Sequence, residues 1–205
     1  SPPPSEAKSI WQAEEWLKEV RALDAALAPD LDGLAPIAYG YDGARSTTGE
    51  REGRGRAQWP NGDTYVGEWD ANQPDGHGVY TTTAGERYDG EWRRGEKSGI
   101  GHYKFLADTA GGDEDQFNVY RGEWRHGMRD GRGHMELADG STYDGQFKGG
   151  KREGWGTQRA ALKRGQHQRA LYRGEFFNGM KQGRGTHRFT VGSTQLSLHH
   201  RDHPV

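Results

Sequence analysis

The sequence contains no cysteine, which excludes disulfides, thiolate metal sites and cysteine nucleophiles. It is also poor in aliphatic residues. Only 31% of its 205 residues are hydrophobic, too few for a thick central core. No apolar run approaches the roughly 20 residues that a membrane-spanning helix needs, and no signal peptide is evident, so the chain reads as cytoplasmic. It opens at Ser1 without a methionine, as a processed chain or a piece of a longer one would. Catalytic signatures are lacking as well: there is no Gly-x-Ser-x-Gly, no His-Glu-x-x-His and no phosphate-binding loop. Asp108 to Asp115 is acidic but lacks the ligand order of a calcium loop. His199, His200 and His203 have no carboxylate or cysteine at ligand spacing and read as solvated. The expectation is a protein that is not an enzyme and has no metal or cofactor.

Glycine, by contrast, is abundant, with 33 residues, and it is ordered. Tyr65-Gly67-Trp69 leads to Gly76 and Gly78; Tyr88-Gly90-Trp92 to Gly95, Gly99 and Gly101; Tyr120-Gly122-Trp124 to Gly127, Gly131 and Gly133. Tyr143-Gly145-Phe147 and Tyr172-Gly174-Phe176 start the same ladder, and a weaker copy begins at Tyr41-Gly43 with Arg45 in the second aromatic position. Tyr65 to Tyr88 and Tyr120 to Tyr143 are both 23 residues, a period that signals a repeat array. Side chains alternate faces along a strand, so Tyr88, Gly90 and Trp92 share one face and Asp89 and Glu91 the other. Rings then lie over glycine backbone, which explains a glycine content that would otherwise weaken strands. Each unit has two turn signals, one between its strands, as at Arg93-Arg94-Gly95-Glu96, and one before the next unit; Asn61-Gly62 and Asp139-Gly140 are good hairpin turns.

The pattern Y-x-G-x-W-x-x-G-x-x-x-G-x-G resembles the repeats of the membrane occupation and recognition nexus, or MORN, family. The resemblance covers residues 41–188 and implies a mainly β fold: an elongated single-layer antiparallel sheet of consecutive hairpins, with its aromatic face lining a shallow groove. It departs from the pattern locally. Asn72 stands where a glycine is expected, and the last three units have Met135, Gln158 and His187 in place of the second-strand tyrosine. The domain organisation is then a helical segment over 1–30, a linker over 31–40, six repeats over 41–188 starting near 41, 65, 88, 120, 143 and 172, and a tail over 189–205. Insertions near Leu106 to Asn118 and Ala160 to Arg169 map to loops, the first acidic and the second basic. In the N-terminal segment Ala13, Trp16, Leu17, Val20, Leu23 and Leu27 fall at helical spacing. This amphipathic helix either caps the first repeat or docks a partner through Trp11, Trp16, Leu17 and Val20.

Charge is unevenly distributed. Residues 41–124 hold 10 Lys and Arg against 16 Asp and Glu, whereas residues 125–188 hold 14 against 6. Such polarity suits an acidic partner at the basic end or head-to-tail association of like chains. Counting nine residues from each opening tyrosine reaches Lys97, Arg129, Arg152 and Lys181, expected in the turns; with Lys148 and Lys151 they would form a basic edge.

The resemblance implies a scaffold in a cytoskeletal assembly, of the radial spoke type found in cilia and flagella. The expected groove is lined by Tyr65, Trp69, Tyr80, Tyr88, Trp92, Tyr103, Tyr120, Trp124, Tyr143, Phe147, Tyr172 and Phe176, which offer large contact area at little entropic cost. Partners are other proteins, with anionic phospholipid at the basic edge as the first alternative and a regulatory arm of a larger enzyme as the second. The chain is not basic overall, so nucleic acid is disfavoured. A homodimer is permitted and not required.

Overall fold

The computed structural model describes residues 40–107, 116–161 and 170–188, and the backbone of 194–199. These residues form strands β1 (Gly40–Arg45), β2 (Arg51–Gln58), β3 (Thr64–Asp70), β4 (Gln73–Thr81), β5 (Arg87–Arg93), β6 (Glu96–Leu106) and β7 (Phe117–Arg125), followed by β8 (Met128–Glu136), β9 (Thr142–Lys148), β10 (Lys151–Arg159), β11 (Leu171–Phe177), β12 (Met180–Arg188) and β13 (Thr194–His199). All lie in one open sheet in sequence order, each antiparallel to its neighbours. The expected single-layer sheet of hairpins is therefore present. The expected N-terminal helix, with Trp11, Trp16, Leu17 and Val20, lies outside the described residues. The segment read as a tail contributes β13, which pairs with β12 from Arg188↔Thr194 to Gly183↔His199.

The two long edges of the meander use different turns. Within each repeat after the first, two residues with positive φ join the strands: Ala71 and Asn72 (44° and 69°), Arg94 and Gly95 (48° and 79°), His126 and Gly127 (49° and 74°), Gly149 and Gly150, and Asn178 and Gly179. Two positive φ angles in a two-residue connection define a type I′ turn, whose twist suits paired strands. Asn72 replaces the usual glycine because asparagine tolerates this region best among residues with a side chain. Between repeats the loops are longer. In Trp59 to Asp63, Thr82 to Glu86 and Leu137 to Ser141, the first residue donates to the fifth, and the fourth, a glycine with positive φ, donates back to the first. Asn61-Gly62 and Asp139-Gly140 belong to these loops, and both insertions enter on this same edge.

Inside each hairpin the register breaks once. Gly90 pairs with Gly101 and Trp92 with Lys97, so Ser98, Gly99 and Ile100 face Glu91 alone. The same bulge recurs after Gly67, Gly122, Gly145 and Gly174. The Glu91 carboxylate accepts the Ile100 N–H at 2.8 Å, and Glu123 accepts that of Arg132 at 2.8 Å. The acid one residue before Trp92 and Trp124 thus closes the bulge, satisfying a donor that the ladder leaves over.

Candidate functional site

Cross-strand register collects the tyrosines on one face. The ladder runs Tyr65↔Tyr80↔Tyr88↔Tyr103↔Tyr120↔Met135↔Tyr143↔Gln158↔Tyr172↔His187. Each opening tyrosine lies flat across the glycine pair of its own hairpin. A Cβ on Gly101 would meet the Tyr88 hydroxyl at 2.4 Å and its ring at 2.5 Å. The hydroxyl continues past the glycines to donate to a main-chain carbonyl, Tyr65 to Glu68, Tyr88 to Glu91 and Tyr120 to Glu123, each at 2.9 Å. The tryptophans reach the other way, into the preceding repeat: the Trp69 indole N–H donates to the Gly55 carbonyl at 3.1 Å and that of Trp92 to Gly78 at 3.0 Å.

The rings consequently form one edge-to-face chain. Tyr88 meets Trp92 of its own repeat at 5.1 Å between centroids and Trp124 of the next at 5.2 Å. Tyr120 meets Trp124 at 5.4 Å and Phe147 at 5.0 Å, and Tyr143 meets Phe147 at 5.2 Å and Phe176 at 4.9 Å. Each such pair contributes about 0.5–1.5 kcal/mol beyond its area burial, so the chain of rings is also what fastens repeat to repeat.

This arrangement changes what a partner can touch. Of the residues expected to line the groove, Tyr65, Tyr88, Tyr120, Tyr143, Tyr172, Trp69, Trp124, Phe147 and Phe176 are buried within the chain. Tyr80, Tyr103 and Trp92 remain half-buried, joined by Met135, which stands in the second-strand tyrosine position, and by Phe105, which the sequence pattern did not single out. The hydroxyls of Tyr80 and Tyr103 are held by Asp63 at 2.5 Å and Glu86 at 3.0 Å. Burial, reinforced by those carboxylates, pushes both phenols up to about 12.

The basic edge needs correction. Lys97, Arg129, Arg152 and Lys181 are not in turns. Because the type I′ turn takes only two residues, the ninth position of each repeat already lies in the second strand, paired with Trp92, Trp124, Phe147 and Phe176 respectively. Each cation therefore lies on the aromatic face. The Lys97 ammonium sits 3.8 Å from the Tyr103 centroid, 5.0 Å from Tyr88 and 5.1 Å from Trp124. Arg129 lies over Phe105, Tyr120 and Phe147, Arg152 over Tyr143 and Phe176, and Lys181 over Tyr172 at 4.7 Å. Arg51 covers Tyr41 and Trp69 in the same way. Burial pushes the Lys97 ammonium down to about 8, with Glu86 opposing the shift and Arg129 adding to it. Of the six residues expected at the basic edge, Lys148 and Lys151 are the two exposed beside a turn, where Lys151 donates to Asn178 at 2.5 Å. The second repeat breaks the row: its position is Pro74, paired with Trp69.

The opposite face is mostly polar. Asp144 is held by His134 at 2.6 Å and by Arg159, and Asp89 by Arg87 at 2.9 Å and His77 at 3.3 Å. Burial disfavours the Asp144 carboxylate, but its hydrogen bonds and opposite charges outweigh this and hold it below the usual range. Among the described residues no group of His, Asp and Glu could hold a metal ion, and no described helix is long and apolar enough to cross a membrane.

The MORN repeat family matches residues 49–64, 65–87, 88–105, 120–142, 143–159 and 172–194. No curated protein matches the chain.

Proposed function

The chain belongs to the MORN repeat family, and on that premise we propose that it is a non-enzymatic scaffold holding partner proteins along its aromatic face. MORN repeats are generally protein- or membrane-binding modules. The observation that carries the reading is the band of half-buried Tyr80, Trp92, Tyr103, Phe105 and Met135 above a floor of rings already locked by their neighbours. A rigid aromatic surface costs a partner little ordering entropy, which is how such residues become binding anchors. We further propose that the assembly is cytoskeletal and cytoplasmic, of the kind found in cilia and flagella. The support is the likeness of a chain made mostly of repeats to radial spoke head components.

A photoreactive phenylalanine derivative tests the face assignment when placed at half-buried Met135 on the aromatic face and, separately, at Trp155 on the opposite face, which is 44% exposed. In native cells Met135 should yield discrete protein adducts that Trp155 does not. Adducts at Trp155 alone, or at neither position, reject the reading.

A second reading has its own observation. Met128 (49% exposed) and Met180 (66%) stand beside type I′ turns, on the same edge as Arg125, Lys148 and Lys151. Apolar tips among cations suit the surface of an anionic bilayer. Lys148→Glu with Lys151→Glu should then weaken co-sedimentation with phosphatidylserine vesicles by about tenfold or more, since each basic residue near the surface contributes about 1 kcal/mol. Unchanged pelleting excludes that edge.

A further inference from the structure

The cation row has one gap, and the gap leaves a built site. In the third repeat Tyr88, Tyr103 and Trp124 enclose the Lys97 ammonium. The equivalent rings one repeat earlier are Tyr65, Tyr80 and Trp92, and the ladder pairs Tyr65 with Tyr80 just as it pairs Tyr88 with Tyr103. The ring geometry matches: Tyr65 and Trp92 lie 5.3 Å apart at 87°, against 5.2 Å and 83° for Tyr88 and Trp124. Tyr80 and Trp92 are 6.3 Å apart, against 5.8 Å for Tyr103 and Trp124. The residue that would reach between them is Pro74, which cannot.

The consequence is visible in burial. Where a cation lies over the pair, Trp69 and Trp124 are 3% and 6% exposed, while Trp92 is half-buried. Among the described residues no lysine or arginine lies over Tyr65, Tyr80 or Trp92, although every other repeat has one over its own tyrosine. Trp59 meets Tyr80 at 5.8 Å and walls the outer side. The surroundings are anionic: Asp63 accepts the Tyr80 hydroxyl as Glu86 accepts that of Tyr103, and residues 41–124 carry 16 acids against 10 bases. Donation to a carboxylate makes a phenol ring a better host for positive charge, and aromatic faces attract cations through their quadrupole.

We propose that Tyr65, Tyr80 and Trp92 form a seat for an organic cation supplied by a partner, with a lysine ε-ammonium as the group it fits. This rests on the aromatic face as the binding face and adds the chemistry of the partner's anchor. Lys97 supplies the template, a primary ammonium on a flexible stem held by three rings. The array thus interrupts its own row of cations where a partner's can fill the gap, one repeat before Lys97 and one after Arg51.

The test uses the full chain with its tryptophan indoles labelled for NMR and the Trp92 signal assigned through Trp92→Phe. Titration with n-butylammonium should shift the Trp92 indole N–H saturably, and the neutral isostere n-butanol should bind about tenfold more weakly. Pro74→Lys, which supplies the side chain other repeats carry, should abolish the shift, whereas Pro74→Ala should retain it. A shift that persists in Pro74→Lys, equal binding of the alcohol, or no saturable shift with either cation overturns the proposal. Response to tetramethylammonium alone overturns lysine in favour of a choline headgroup. Crosslinking at Met135 does not depend on this seat, so failure of the seat leaves the face assignment standing on its own test.

Discussion

Gly101→Ala should destabilise the protein by about 3 kcal/mol or more, close to what deleting a buried aromatic costs, although it adds a single methyl group. Gly101 lies outside the positive-φ set, so the backbone itself accepts alanine. What does not accept it is Tyr88: the new Cβ would stand 2.4 Å from the hydroxyl and 2.5 Å from the ring. That ring is 0% exposed and wedged between Trp92 and Trp124, with Lys97 above it. It has nowhere to move without breaking contacts to the next repeat. Gly95→Ala is the counterpart. Its φ of +79° strains alanine, but no atom lies within 4 Å of the new Cβ, so the cost should stay near 1 kcal/mol. Urea unfolding of the two variants separates them. If both lose the same small amount, the rings do not rest on the glycines as described. A cycle with Tyr88→Leu adds a check, because the penalty at Gly101 should shrink once the phenol is gone.

The same pair shows why some features were legible in the sequence. Tyr88, Gly90 and Trp92 recur at spacings of two, as do Gly101 and Tyr103 on the next strand, and even spacing means one face of a strand whatever the turns do. The cation row was not placed correctly by counting, because position nine belongs to a turn or a strand according to whether the connection takes two residues or four. Ala71-Asn72 carries no hairpin signature, yet it forms the same turn as Arg94-Gly95. Burial of the expected groove was hidden for a different reason. Tyr88 is closed off by Trp124, which is 36 residues away in sequence and adjacent only through the β6 to β7 register. Pro74 was invisible as a site for the complementary reason: a proline near a turn is unremarkable until its row mates are known to lie over rings.

Above pH 10 the sheet should unfold in one steep transition. Tyr65, Tyr88, Tyr120, Tyr143 and Tyr172 are all buried, and burial raises each phenol above its ordinary value of 10.0. Their hydroxyls donate to main-chain carbonyls, so a phenolate would lose its acceptor and face another oxygen. A folded value above the unfolded one means that the unfolded chain releases its protons first. The stability these groups confer is intact below pH 10 and is lost as pH rises through their folded values. Each group costs up to about 1.4 kcal/mol per pH unit, so five together approach about 7 kcal/mol per pH unit. Tyr80 and Tyr103, held at about 12, act in the same direction. Lys97 acts oppositely: lowered to about 8 from 10.5, it lets stability rise between those two values, but it exchanges one proton against many. The expected profile is therefore a shallow rise above pH 8 followed by collapse above pH 10. Tyrosinate absorbance and far-ultraviolet circular dichroism should change together, and Tyr120→Phe should reduce the steepness by the share of one group. Tyrosinate appearing near pH 10 while the β signal persists would mean that solvent reaches the phenols in the folded sheet, and with that the edge-to-face chain joining the repeats could not be closed.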